Sequence, residues 1–187
     1  MPQYTDYINK HRIHRVIEGG VHHGENTAEF ASFADRVYGF EPNKSNFNYC
    51  IGRPKIKELS NRIELFNQAL WSKDCDLYVS EEAGLSRTYA GIESNVKART
   101  IDSFVAEKCI KVDFIKLDCE GAEMEILEGA AHIIKNHKPQ MAISIYHSIS
   151  DLYEIPAFIL KLNPTKSIRF HHYDDYRIRE TIMYILN

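Results

Sequence analysis

Carboxylates, glycines and histidines fall in this chain where they could do chemistry on a small ligand. Glu18 closes the run RVIE and is followed by Gly19, Gly20 and, further on, Gly24. Glycine lets the backbone turn sharply and approach a ligand with no Cβ in the way, so Gly20 and Gly24 are expected to form the floor of a binding turn. The spacing E-G-G-V-H-H-G is not the G-x-G-x-x-G that brings a pyrophosphate to a helix N-terminus. A carboxylate beside the loop also repels phosphate. Glu18 suits an amino or sulfonium centre instead, by charge attraction in a partly desolvated cleft. A tight turn that binds nothing is the alternative.

A second acid, Glu41, ends the run YGFEP. A carboxylate at a strand end can accept hydrogen bonds from both hydroxyls of a ribose, although a glutamate there is often merely solvated. Taken with Glu18 and the glycine turn, it points to a nucleoside with a positively charged tail. S-adenosylmethionine has that chemistry.

The densest acidic cluster is Asp118, Glu120 and Glu123 in FIKLDCEGAE. Acids in a first helical turn favour the positive helix end, which accounts for Glu123. Asp118 precedes the turn and follows a buried run, so it is the leading candidate for the reacting centre. Lys116 inside that run needs a carboxylate partner, because lysine is rarely buried unpaired, and Glu123 is the expected one. His147 in SIYH and His172 in RFHHY could each act as base near neutral pH, or each could be structural. His22 and His23 are expected to face solvent. Asp118, Glu120 and His147 include plausible metal ligands, but no spacing identifies a metal site and none is assigned.

The elements needed to place these residues alternate along the chain. RVIEGG, RVYGFEPN, RIELFNQAL, VDFIKLDCE and MAISIYH read as strands. Between them ENTAEFASFA, a stretch from Asn43 to Lys57 cut short by Gly52 and Pro54, IDSFVAEK capped by Asp102, and GAEMEILEGAAHIIKN read as helices. IPAFILKLN adds a further helix, and SIRFHHY with ETIMYIL forms a closing pair of strands. DLYVSEEAGLSRTYAG reads as a hairpin over one end of the sheet, where Ser86 either touches the substrate or is an idle loop serine. Such alternation implies an α/β fold with a mostly parallel sheet.

The 187 residues, 44% hydrophobic, suit one domain with its own core. A formal net charge of -3 gives no footprint for nucleic acid or an anionic membrane. Cys50, Cys75, Cys109 and Cys119 are scattered without a C-x-x-C pair, which suits a reducing cytoplasm. No run approaches the roughly 20 apolar residues that span a bilayer, and no targeting or anchoring segment is expected. A small-molecule partner is the default, and oligomeric state is left open.

VIEGGVHHGENTAEF, YGFEPN, NQALWSK, VDFIKLDCEGAEMEILEGA and AISIYH resemble, in order, the blocks of the FkbM-type methyltransferase family. The most specific is IKLDCEGAEMEILEGA. The resemblance implies a class I, Rossmann-like methyltransferase fold: a mostly parallel seven-stranded sheet with an antiparallel terminal strand and helices on both faces. It implies S-adenosylmethionine as cofactor and a hydroxyl oxygen as acceptor, often on a sugar or secondary metabolite. Carried over by position, Glu18, Gly20 and Gly24 would line the methionine end, Glu41 would hold the ribose, and Ala69 and Leu70 would lie near the adenine. Asp118, assigned from its place after the buried run and not from the resemblance, is expected to stand at both cofactor and acceptor. This chain departs from the family at its first strand, which commonly ends in aspartate followed by Gly-Ala.

Two other classes stay open on sequence alone. An NAD-dependent oxidoreductase also begins with strand, glycine turn and distal acid, but needs phosphate-cradling glycines. A cofactor-binding module without catalysis is the third reading.

Overall fold

The computed structural model describes residues 3–80, 87–89, 95–174 and 180–186. Strands β1 (Arg15–Gly19), β2 (Arg36–Phe40) and β3 (Ile63–Phe66) run parallel and are joined by helices α1 (Glu25–Phe33), α2 (Lys44–Gly52) and α3 (Pro54–Glu58). The chain then makes a small excursion, β4 (Ala69–Leu70), β5 (Cys75–Ser80), β6 (Arg87–Tyr89) and β7 (Val96–Arg99). It returns through α4 (Ile101–Lys108) to β8 (Phe114–Leu117), α5 (Glu123–Glu128), α6 (Ala131–Asn136), β9 (Gln140–Ser144) and α7 (Asp151–Leu162). β10 (Ser167–His172) and β11 (Thr181–Leu186) close it.

The main sheet has seven strands in the order β10-β11-β9-β8-β1-β2-β3, and β11 is antiparallel to both neighbours. β1 pairs in parallel with β2 on one side and β8 on the other. The strand order therefore reverses at β1, which opens a crevice beyond the carboxyl ends of β1 and β8.

Alternation along each strand sends side chains to two cores. Ile17, Tyr38, Ile115 and Met141 pack with Phe104, Ile126, Leu127 and Ile155 from α4, α5 and α7. Their neighbours Val16, Val37, Phe114 and Ala142 pack with Phe30, Cys50 and Ile56 from α1, α2 and α3. Helices thus cover both faces, as expected of this fold class.

Several local expectations change. RIELFNQAL is not one strand: the Asn67 amide turns back to donate to the Glu41 and Pro42 carbonyls, and Ala69–Leu70 joins β7 in the second sheet. That sheet, ordered β4-β7-β5-β6, contains the expected pairing of β5 with β6, and β7 was not foreseen. Gly84 and Ser86 lie outside the described residues. Thr100, not Asp102, caps α4, through Ser103 N–H. Asp102 instead accepts from the N–H groups of His132 and Ile133 at the start of α6. The long helix after Asp118 breaks between α5 and α6 at Gly129, where a Cβ would fall 2.1 Å from the Trp71 carbonyl oxygen. Among the described residues no helix is long and apolar enough to cross a membrane.

Candidate active site

The register of β1 and β8 sets the base of the site. Glu18 lies opposite Lys116 in the parallel ladder, so both side chains leave the same face of adjacent strands. Both are fully buried, with Lys116 Nζ 3.7 Å from Glu18 Oε1. Lys116 is therefore partnered by Glu18, not by the expected Glu123. Its ammonium also donates to the carbonyls of Gly20 at 2.6 Å and Gly19 at 3.3 Å, which holds the glycine turn. Glu18 Oε2 accepts from the Thr27 hydroxyl at 2.6 Å. Burial pushes the Glu18 carboxyl up to about 7, against the pull of Lys116 and Thr27.

Glu18 consequently lies behind the cleft and does not line it. Gly24 is also placed elsewhere: it opens α1 with φ 81°, and a Cβ there would fall 2.6 Å from Cys50 Sγ. Its need for glycine comes from packing against α2 and α3. Gly20 does line the cleft, and its φ of 76° leaves no room for a Cβ, which would fall 1.8 Å from the Asp118 carbonyl oxygen.

The cleft has a volume of about 380 Å³ and sits beyond the carboxyl ends of β1, β2 and β8. Phe40, Ala69, Leu70, Ala122 and Ile126 supply its apolar wall. Glu25, Glu41, Asp118, Glu120 and Glu180 supply the polar one. Glu41 is almost fully buried, with Oε2 accepting from His22 N–H at 2.8 Å and Oε1 from Asn43 N–H at 2.9 Å. Burial raises its pKa, and those two backbone donors oppose the rise. His22 is exposed, as expected, and also borders the cleft, in a left-handed conformation with φ 50°.

Asp118 leaves the end of β8 into a tight turn in which Glu120 and Gly121 have positive φ. Its Oδ2 accepts from the Tyr4 hydroxyl at 2.8 Å and its Oδ1 from the Tyr146 hydroxyl at 3.1 Å. Burial alone would raise its pKa, but Lys116 and the Tyr4 hydroxyl outweigh it and hold the carboxyl below its ordinary value. Glu123 is buried and accepts from the N–H groups of Cys119 at 2.6 Å and Gly121 at 2.9 Å. It fastens the turn that presents Asp118.

β9 stops at Ser144, so His147 lies in the following loop, behind the Asp118 turn. Its Nδ1 is 3.1 Å from Glu123 Oε1, and its Nε2 is 3.7 Å from Asp118 Oδ1 and 3.6 Å from Glu120 Oε2. Burial would lower its pKa, but these carboxylates, Glu123 foremost, raise it. His172 is not brought to the site. It is exposed at the end of the edge strand β10, its Nδ1 2.8 Å from Thr181 Oγ1.

Residues 18–166 match the family described as the methyltransferase FkbM domain. The chain belongs to that family. None of the curated proteins matches it. Among solved structures, an FkbM methyltransferase from Methylobacillus flagellatus is 24% identical with a TM-score of 0.73, over 93% of this chain. This chain spans only 44% of that protein's length. An rRNA methylase from Streptococcus thermophilus is 11% identical with a TM-score of 0.56, over 93% of this chain and 86% of its own. A Streptococcus mutans protein assigned as a methyltransferase, solved in complex with SAH, is 10% identical with a TM-score of 0.55, over 94% and 92%. Such similarities show a class I methyltransferase fold.

In this FkbM domain, then, Gly20, Glu41, Ala69, Leu70 and Asp118 gather around one cleft, and Glu18, Gly24 and His147 support it from behind. Tyr4 and Tyr146 are the site residues that sequence reading missed. Tyr146 stands beside His147 in SIYH and was within reach of a strand-end argument. Tyr4 reaches Asp118 from 114 positions away, and no local pattern announces it.

Proposed function

We propose that this FkbM-family chain transfers a methyl group from S-adenosylmethionine to a hydroxyl oxygen of a small-molecule acceptor, a sugar or a secondary metabolite. The observation that carries the reading is the charge of the cleft. Its described lining holds five carboxylates, and the only lysine or arginine among them, Lys116, is turned onto the Gly19 and Gly20 carbonyls. That donor set fits a ligand with cationic centres and disfavours a pyrophosphate, which weighs against NAD. The cleft volume falls within the range of small-molecule sites.

When bound, the cofactor supplies an electrophilic methyl on a sulfonium sulfur. The rest of the work falls to the chain. Glu41 spends one lone pair of each oxygen on a backbone N–H and keeps others for the ribose hydroxyls. Phe40, Ala69 and Leu70 offer an apolar surface to the adenine. Asp118, held by two tyrosine hydroxyls, accepts the acceptor's hydroxyl hydrogen bond, aligns its oxygen and takes its proton as the bond forms. The net negative charge and acidic lining favour a small acceptor over a nucleic acid.

Calorimetric titration with S-adenosylhomocysteine and with NAD tests the cofactor: binding of the first alone is expected, and binding of NAD alone would overturn the reading. Transfer of labelled methyl to a mixture of sugars, phenols and other alcohols tests the reaction. A protein that binds S-adenosylhomocysteine yet labels no acceptor would be the non-catalytic module.

A further inference from the structure

At the end of the main sheet opposite the cleft, cations form one continuous row. Arg15 opens β1 directly across from Arg36 at the start of β2. The Arg36 guanidinium donates to the Asn61 carbonyl at 2.9 Å, and Val37 N–H donates to the carbonyl of Arg62, just before β3. On the other side of β1, Asp113 N–H donates to the Arg15 carbonyl, Gln140 N–H to the Asp113 carbonyl, and Val112 N–H to His137 Nδ1. These contacts bring Lys111 and Lys138 alongside, and the Lys166 ammonium donates to the Lys138 carbonyl at 2.9 Å. The row thus runs from Arg62 to Lys166 across all seven strands, about 29 Å at the usual strand spacing of about 4.8 Å.

The row is not neutralised in place. Arg15, Arg62, Lys111 and Lys138 are exposed, and none of them forms an ion pair among the described residues. Of the carboxylates beside them, Asp35 pairs with His14 at 2.9 Å, and Asp113 accepts from the His14 and Arg15 N–H groups. The cations also sense one another. Burial first and Lys138 second push Lys166 down to about 8, and burial, His132 and Lys111 together lower His137. The cleft, at the other end, is lined by five carboxylates. A net charge of -3 therefore averages an acidic end and a basic one.

An extended negative plane is the partner that this separation fits. It attracts the row and repels the cleft end, so it selects one orientation, with the cleft facing away and open. Beside Arg62, an apolar recess of about 220 Å³ is lined by Ile51, Ile56 and Ile63, and Ile51 is itself exposed. Apolar contact next to a basic patch adds to binding at a lipid surface. Single-stranded nucleic acid is held on aromatic side chains instead, and the exposed aromatics stand elsewhere. Tyr49 packs on His23, Tyr153 is in the first turn of α7, Tyr78 is in the second sheet, and Phe170 lies within β10. We propose that the row from Arg62 to Lys166 docks the protein on an anionic lipid surface, with the cleft turned away from it.

The test is co-sedimentation of the whole chain with lipid vesicles. It needs neither methyl donor nor acceptor, so its failure and the failure of methyl transfer are separate results. Phosphatidylcholine vesicles with about 30% phosphatidylserine should retain the protein, and phosphatidylcholine alone should not. Raising the salt from about 0.1 M to about 1 M should release it, because the screening length falls from about 10 Å to about 3 Å. Arg15→Glu combined with Lys138→Glu should weaken partitioning at least tenfold, since each cation lost near such a surface is worth roughly fivefold. Lys73→Glu combined with Lys97→Glu makes the same change in net charge at exposed positions of the second sheet and its turn, and should partition as the wild type does. Equal binding to both kinds of vesicle would overturn the proposal, and so would an equal loss in both double variants. Salt-sensitive binding of a short duplex RNA, with no binding to the vesicles, would overturn it in favour of a nucleic acid. If Arg15→Glu with Lys138→Glu fails to fold by circular dichroism, Lys138→Gln alone decides: unchanged partitioning there overturns the docking surface.

Discussion

The hydroxyl of Tyr4 donates to Asp118 Oδ2 at 2.8 Å and lies 3.2 Å from Ser144 Oγ, so the N-terminal segment reaches the ends of β8 and β9 at one point. The Tyr4 ring is buried and lies under the Lys116 ammonium, 5.0 Å from its centroid. Tyr4→Phe keeps that packing and removes only the hydroxyl. A hydrogen bond to a charged group contributes about 1.5 to 3 kcal/mol, and part of it here holds Asp118 below its ordinary pKa. We expect a lower melting temperature and reduced turnover, with S-adenosylhomocysteine affinity little changed. A variant with wild-type turnover would show that Tyr146 alone positions the carboxylate.

Glu41 holds two backbone amides as well as lining the cleft. Glu41→Ala should weaken S-adenosylmethionine binding by about 1 to 3 kcal/mol through lost hydrogen bonds to a charged group. It also frees the His22 and Asn43 amides, so a modest fall in melting temperature should accompany it. Calorimetry on the folded variant is the check, and unchanged affinity removes Glu41 from the ribose site.

Glu18 predicts a pH dependence of stability. Its pKa in the folded chain, about 7, lies above the ordinary 4.5 because burial penalises the charge. The folded state therefore holds the proton more tightly than the unfolded one. The associated stability is fully present below about 4.5 and is lost as pH rises through about 7. His147, also raised, acts in the same direction, so the effect is read as a difference between two proteins. The melting temperature of the wild type minus that of Glu18→Gln should fall as pH is raised from about 5 to about 8. A difference constant across that window would mean that Glu18 stays ionised beside Lys116 throughout.

The fold was legible because its signals are local. Pro42, Gly52 and Pro54 punctuate the chain as expected, and the apolar runs at Val16, Val37 and Phe114 became neighbouring parallel strands. The site was legible in part. Asp118 and Glu41 stand at strand ends that face the crevice, so their position in sequence already implied their position in space. Glu18 misled because it occupies the penultimate position of β1, where the pleat turns its side chain into the core beside Lys116. Gly24 misled because packing against Cys50 and Ile56 demands glycine as strongly as a ligand would. His172 misled because a strand end at the sheet's edge carries the same pattern as one at its centre. Tyr4 and the His147 cluster depend on contacts between distant segments, which periodicity does not encode.

Asp118→Asn separates chemistry from architecture at the point where the cleft, both tyrosines and Lys116 converge. Asparagine keeps the shape and one acceptor oxygen, but its amide group faces a hydroxyl that now donates to a carboxylate. One tyrosine must reorient, and for Tyr4 the Ser144 hydroxyl is near enough to receive the proton. The structural cost should therefore be modest. The chemical cost should not be, because the variant can neither take the acceptor's proton nor place a negative charge beside it. Turnover is expected to fall by roughly the 10²- to 10⁴-fold of general-base removal, with S-adenosylhomocysteine affinity changed far less. If the carboxylate serves only to neutralise Lys116 and anchor the tyrosines, the same variant will melt at a lower temperature and retain most of its turnover. Melting temperature, cofactor affinity and methyl transfer measured on one preparation decide between these outcomes, and near-normal turnover would move the proton acceptor to His147.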